Sequence, residues 1–273
     1  FPFLSITSSA RSTLSDSGII SNTSLPAMSV RPQDSNTKSL SPFNEPIVTI
    51  TFDDGWESVY TIAAPIMQRY GIRSTQYILS DASSSQGYMS TSEIKALLQG
   101  GHEIGCHGVT HRDLTKLDDA SLQNELAGCK SSVEKRYGVN VRSFASPYSS
   151  INEATLFKTK QNFDSHRNTL SDITNGLGPE DVNTLANFNA NNIISFAIRQ
   201  ETSIEQIKAA VEYTIQTNSW LVLTYHQVEE EGAFALEKDK LAEQFSYISS
   251  QNVRIAPLSD AVNAINAYHE GRF

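Results

Sequence analysis

Two carboxylates, Asp53 and Asp54, stand side by side after the run Ile47-Val48-Thr49-Ile50-Thr51-Phe52 and are followed by Gly55. Adjacent acids can divide the work of a hydrolysis, one taking a proton from water and the other holding a cation. Further along, His107 and His111 are four residues apart, a spacing that sets two imidazoles on one side of a helical turn. Neutral imidazole is the commonest protein ligand for zinc-like metals. Two histidines with one carboxylate make a three-ligand site with open positions, which suits a metal that activates water. Asp53 or Asp54 would supply that carboxylate. A third segment, Trp220-Leu221-Val222-Leu223-Thr224-Tyr225, runs straight into His226.

Each of these groups follows a short apolar run, and those runs must do the positioning. Residues 47–52 are β-branched or aromatic almost throughout, as expected of a strand buried on both faces of a parallel sheet. Parallel α/β folds keep their active sites at the C-terminal ends of strands, which is where all three segments place their polar residues. Neighbouring side chains on a strand point to opposite faces, so a turn at Gly55 is what would let both carboxylates reach one pocket. Beyond it, strands and helices alternate. Helices are expected over 58–70, from the Ser90-x-x-Glu93 capping box to Gly100, and over 120–137, 152–161, 203–216, 236–249 and 260–268. Strands are expected over 75–79, 102–107, 141–145, 163–169, 193–198, 220–225 and 253–256. The repetition argues for a parallel sheet with right-handed crossovers, and alternation alone does not separate a closed barrel from an open doubly wound sheet. No Gly-rich phosphate loop follows any strand, which argues against a nucleotide cofactor.

The chain has 273 residues, enough for one large α/β domain with a sizeable core. A formal net charge of -9 disfavours nucleic acid as a partner, because neutralising phosphates takes clustered Lys and Arg. No apolar run is long enough for a membrane span, and no protein partner is implied. Ser, Thr, Asn and Pro dominate the start of the chain, so residues 1–44 read as a loosely packed extension or a linker, and residues 45–273 as the catalytic domain. Cys106 falls on the face of its strand opposite His107 and reads as a buried thiol rather than a ligand. With Cys129 it makes only two cysteines, too few for a disulfide framework, though a bridge between them stays open.

Thr51-Phe52-Asp53-Asp54-Gly55 resembles the TFDDG motif of the polysaccharide deacetylase family, also called the NodB homology domain or carbohydrate esterase family 4. The resemblance implies an α/β fold, an irregular (β/α)7 barrel, with Asp53 as catalytic base and Asp54 as metal ligand. His107-Gly108-Val109-Thr110-His111 is similar to the family's H-[ST]-x-x-H, which makes His107 and His111 the other ligands. Gly108 replaces the hydroxyl residue, a change expected to loosen the support of the ligands. The third motif, R-x-P-Y-G, is met by Ala145-Ser146-Pro147-Tyr148-Ser149, so the arginine that steadies the base is gone. This looks like the FAxPYG subgroup that includes poly-N-acetylglucosamine deacetylases. Arg167 is the first candidate to hold Asp53 instead, with Arg199 behind it. Thr224-Tyr225-His226 resembles the family's Leu-x-His, which makes His226 the general acid, and Asp172 is the candidate to orient it.

By this resemblance the chain removes acetyl groups from a glycan, foremost N-acetyl groups of N-acetylglucosamine-type polymers, using a divalent metal: zinc, with cobalt or nickel as substitutes. Tyr148 would offer its backbone amide to the developing oxyanion. The family works outside the cell or in the cell envelope. An O-acetyl esterase of the xylan type and a silent carbohydrate-binding relative are the alternatives. A glycosidase would need carboxylates about 5 to 9 Å apart flanking the scissile bond, which neighbouring residues serve poorly. Trp56, Tyr88 and Trp220 are candidate sugar-stacking surfaces, although aromatic residues more often pack in the core.

Overall fold

Among the described residues, eight strands make up the sheet: β1 (Ile47–Phe52), β2 (Thr75–Ile78), β3 (Glu103–Cys106), β4 (Ser143–Ala145), β5 (Ser165–Asp172), β6 (Ile193–Ala197), β7 (Trp220–Tyr225) and β8 (Arg254–Ile255). They are linked by α1 (Ala64–Arg69), α2 (Thr91–Gln99), α3 (Asp119–Gln123), α4 (Cys129–Tyr137), α5 (Glu153–Asn162), α6 (Ile204–Thr217), α7 (Lys238–Ser250) and α8 (Leu258–His269). This computed structural model describes residues 45–173, 177–229, 231–232 and 234–269. The extension expected over 1–44 lies outside the described residues. Among those described, no helix is long and apolar enough to cross a membrane.

The strands run in the order β2-β3-β4-β5-β6-β7-β1-β8, every pairing is parallel, and β2 also pairs with β1. Seven strands therefore close into a barrel. The closure is partial: β2 meets β1 only at Thr51 and Phe52, whereas β8 occupies the same edge at Ile47 and Val48. The barrel is thus sealed at the C-terminal ends of its strands and prised open at the other end, where Ala256, Leu258, Ala261 and Ile265 pack on Ile47 and Trp220.

Strand alternation sorts the side chains. Val48, Ile50 and Phe52 of β1 join Leu221, Leu223 and Tyr225 of β7 beneath α1, α6 and α7. Thr49 and Thr51 face the barrel interior instead, where Thr49 Oγ1 accepts from Trp220 Nε1 at 2.9 Å and Thr51 Oγ1 lies 3.1 Å from Thr224 Oγ1. Thr49 and Thr51 add hydroxyls to an interior that Ile47, Trp220 and Val222 fill below them, and the same parity carries Asp53 inward.

The Ser90 capping box forms as expected, with Ser90 Oγ accepting from Glu93 N and the Glu93 carboxylate accepting from Ser90 N. The expected helix over 120–137 is instead two α-helical pieces joined by a π turn, Asn124–Gly128. The helix expected over 58–70 likewise opens on a π turn, Val59–Ala63. Cys106 and Cys129 are free, buried thiols in the outer core, and burial pushes the Cys106 thiol up.

Candidate active site

Parity alone would send Asp54 outward with Phe52. It does not, because Asp54 takes φ +74° and Gly55 φ +86°, turning the chain back over the barrel mouth. Gly55 is needed twice here: a side chain would be strained at that φ, and a Cβ would stand 3.2 Å from Ile78 Cγ2. The turn brings Asp54 Oδ1 to 3.4 Å from His107 Nε2 and 3.3 Å from His111 Nε2. His107 leaves β3 on the interior face, two residues past Gly105, where any Cβ would lie 2.6 Å from the Tyr77 ring. Its Nδ1–H donates to the Ala145 carbonyl at 2.9 Å, which fixes the tautomer and leaves Nε2 facing Asp54.

The expectation that His107 and His111 meet on a helical turn is overturned. Residues 107–111 form a loop that doubles back through Gly108 at φ +90° and His111 at φ +59°, leaving the ring centroids 5.0 Å apart. Glycine at 108 is what permits the first of those angles.

The donor atoms of Asp54, His107 and His111 all lie within 4.8 Å of one another. Asp54 Oδ2 accepts from Trp56 Nε1 at 2.9 Å, while the buried Oδ1 has no hydrogen-bond partner. An orphaned carboxylate oxygen between two imidazole nitrogens is a donor set that fits a zinc-class divalent cation. Burial alone would raise the Asp54 carboxyl, but His107 above all, with His226 and His111, outweighs it and holds it well below the usual carboxylate range. Burial pushes the His111 imidazole down, with the charge of His107 adding to it, so the free base that a metal requires is favoured.

Asp53 is buried against Arg167, whose Nη2 lies 2.5 Å from both carboxylate oxygens. Arg167 also donates to Thr169 Oγ1, and its guanidinium sits 5.1 Å over the Tyr77 ring. In the β4–β5 register Ala145 is paired with Arg167, so the arginine stands one strand over from the position the third motif leaves to alanine. Arg199 lines the same cleft, its guanidinium 4.2 Å over the ring of Phe234.

His226 follows β7 on the interior side. Its ring is 4.7 Å from Phe234, and among the described residues its buried Nδ1 has no hydrogen-bond partner. Asp172 ends β5, but its side chain lies outside those described. Tyr148 is held at φ +57° with its ring 4.5 Å from His111, and 66% of it is exposed. Ser149, at the third motif's glycine position, adopts φ +52°, and its Oγ accepts from Thr169 N at 3.3 Å. Tyr148, Ser149, His226 and Phe234 line one cleft of about 730 Å³ with Asp53, Asp54 and the two histidines of the loop. Trp220 is not among them. It is fully buried at the start of β7, at the opposite end of the barrel, which removes it as a sugar platform. Trp56 stacks on Tyr88 at 4.8 Å beside Asp54, to which it donates.

Sequence reading passed over Phe234, Glu125 and a buried Ser146–His166 pair. His166 donates Nδ1–H to the Asn191 carbonyl at 3.0 Å, so Nε2 accepts from Ser146 Oγ at 2.8 Å. Burial, helped by the Arg167 charge, pushes this imidazole down to about 4. The unfolded chain then takes up a proton near pH 6.5 that the folded chain refuses, and stability is lost as pH falls from 6.5 towards 4. The loss from this residue is about 3 kcal/mol. Urea unfolding of His166→Gln at a series of pH values is expected to show a shallower decline across that window than the unsubstituted chain. An unchanged slope would contradict the assignment.

Residues 41–163 match the family model described as polysaccharide deacetylase. Among curated proteins, the chain is 26% identical over 117 residues to a bifunctional xylanase/deacetylase of Pseudobutyrivibrio xylanivorans, covering 43% of this chain and 19% of that one. It is 32% identical over 119 residues to a peptidoglycan-N-acetylglucosamine deacetylase of Bacillus cereus, covering 43% and 53%. The chain thus spans about half, or less, of the length of these curated relatives. Among solved structures, the Xyl-CE4 domain of a multidomain xylanase from the hindgut metagenome of Trinervitermes trinervoides shares the fold. Its TM-score is 0.57 at 19% identity, covering 81% of this chain and 91% of that one.

Proposed function

We infer that this chain, whose residues 41–163 match the family model described as polysaccharide deacetylase, is a metal-dependent hydrolase that removes acetyl groups from a polysaccharide or oligosaccharide. N-acetyl groups of N-acetylglucosamine-type glycans are the first reading, in the extracellular space or cell envelope. One observation carries the reading: the unpaired Asp54 Oδ1, buried between the Nε2 atoms of two histidines. Asp54, His107 and His111 would hold a zinc-class cation, which when bound lowers the pKa of a water to about 7 and polarises the acyl oxygen.

The remaining steps belong to the chain's own side chains. Asp53 accepts the proton of the attacking water, and Arg167 fixes the direction in which its carboxylate points. Tyr148 offers its amide to the oxygen that gains charge, a donor typically worth about 3 kcal/mol. His226 delivers a proton to the departing nitrogen or oxygen. Burial pushes this imidazole down against the opposing pull of Asp53 and Asp54. Tyr148 and Phe234, the exposed aromatic residues of the cleft, provide apolar walls for a sugar ring.

The second reading, hydrolysis of xylan-type O-acetyl esters, is favoured by the similarity to the xylanase/deacetylase. Acetate release from N-acetylated chitooligosaccharides and from acetylxylan, each with zinc, cobalt or nickel, separates the two. Metal-dependent acetate from the N-acetylated substrates is expected. Release from acetylxylan alone would transfer the assignment to the ester. Glycan binding without any release would mark a silent relative, and shortened chains would mark a glycosidase.

A further inference from the structure

The loop that carries both histidine ligands has lost the hydroxyl residue expected to brace it, since position 108 is glycine. It is not loose. Its carbonyls at Gly108 and Val109 accept from Ser80 N at 3.1 Å and Asp81 N at 3.3 Å. On its other side one buried carboxylate gathers the remaining polar groups. Glu125 Oε2 accepts from Val109 N at 2.7 Å and Thr110 N at 3.0 Å, and Oε1 accepts from Thr110 Oγ1 at 2.6 Å. Glu125 is 2% exposed and belongs to the π turn Asn124–Gly128. The residue added by such a turn rotates side chains away from the α-helical pattern, and π turns recur at functional sites.

We propose that Glu125 is a positioning residue for the metal ligands: through the three residues between His107 and His111 it sets the separation of their Nε2 atoms, taking the place of a hydroxyl at 108. Glycine at that position is part of the same arrangement. A Cβ there would stand 2.8 Å from Glu125 Oε2, and the backbone sits at φ +90°. A side chain at 108 would therefore have to push the Glu125 carboxylate aside and strain the backbone. A solvated glutamate on a helix face would make none of these three bonds, and one that served only to stabilise the helix would aim at its own helix, not at the ligand loop.

The inference rests on the metal site proposed above, and the test keeps the two apart. Calorimetric titration with zinc chloride, well below each variant's unfolding temperature, compares the unsubstituted chain with Glu125→Ala, Glu125→Gln, Gly108→Ser, Gly108→Ser/Glu125→Ala and His111→Ala. Glu125→Ala is expected to weaken zinc binding about 10- to 100-fold, the usual cost of losing support behind a ligand. Glu125→Gln is expected to keep most of the affinity, because its carbonyl oxygen can take both amides and its NH2 can donate to Thr110 Oγ1. Gly108→Ser is expected to weaken binding too, and to cost less in the Glu125→Ala background, where the clash is gone. Unsubstituted affinity in both Glu125→Ala and Gly108→Ser would overturn the proposal, whatever happens to their unfolding temperatures. If Glu125→Ala fails to fold, Gly108→Ser alone decides. An unsubstituted chain that ignores zinc, or a His111→Ala that binds it undiminished, would overturn the metal site and this inference with it.

Discussion

Arg167→Ala is expected to lower kcat by about 10²-fold or more while each folded molecule keeps its metal, the lower end of what an aimed general base contributes. The arginine touches neither His107 nor His111 but holds both oxygens of Asp53, so its loss frees the base and leaves the ligands in place. It also strands a buried carboxylate, and breaking a buried pair from one side costs about 3–5 kcal/mol. Activity must therefore be divided by the folded fraction, measured by circular dichroism, and by zinc content, measured by mass spectrometry. The register pairing of Ala145 with Arg167 supplies a companion test. Restoring an arginine at the neighbouring strand position, Ala145→Arg in the Arg167→Ala background, is expected to recover part of kcat. A rate per folded, zinc-loaded molecule equal to the unsubstituted value would remove Arg167 from the account.

His111→Ala is expected to do the opposite. Its side chain sits on a loop and is 28% exposed, so the fold should lose little while zinc content falls. Several kcal/mol of charge stabilisation go with the metal, which converts to a rate loss of at least about 10³-fold. Activity and metal content should fall together here, whereas in Arg167→Ala they should part. Excess zinc that restores the His111→Ala rate in full would show that the imidazole is not needed to hold it.

Strand ends were the legible part of the sequence. The apolar runs before Asp53, His107 and His226 name three strands, and strand parity explains why the three side chains reach one cleft. Arg167 was legible as a cation late in a strand-like run, but its partnership with Asp53 depends on a lateral register between β4 and β5 that no local pattern carries. The spacing of His107 and His111 suggested a helix because i and i+4 meet there. Gly108 at positive φ achieves the same meeting in a loop, and a glycine does not announce which conformation it takes. Trp220 looked like a platform because aromatic residues serve both surfaces and cores. Its place at the beginning of β7, not the end, decides for the core. Glu125 was invisible because a glutamate in a polar helix reads as solvated, and the π turn that buries it has no sequence signature of its own.

Anomalous diffraction at the zinc edge, from crystals of the zinc-loaded chain, tests the central claim most directly. One peak is expected, about 2.0–2.2 Å from Asp54 Oδ1, His107 Nε2 and His111 Nε2 together, with the Asp53–Arg167 pair intact beside it. Strong zinc peaks elsewhere on a fully loaded molecule, and none among these three atoms, would contradict it.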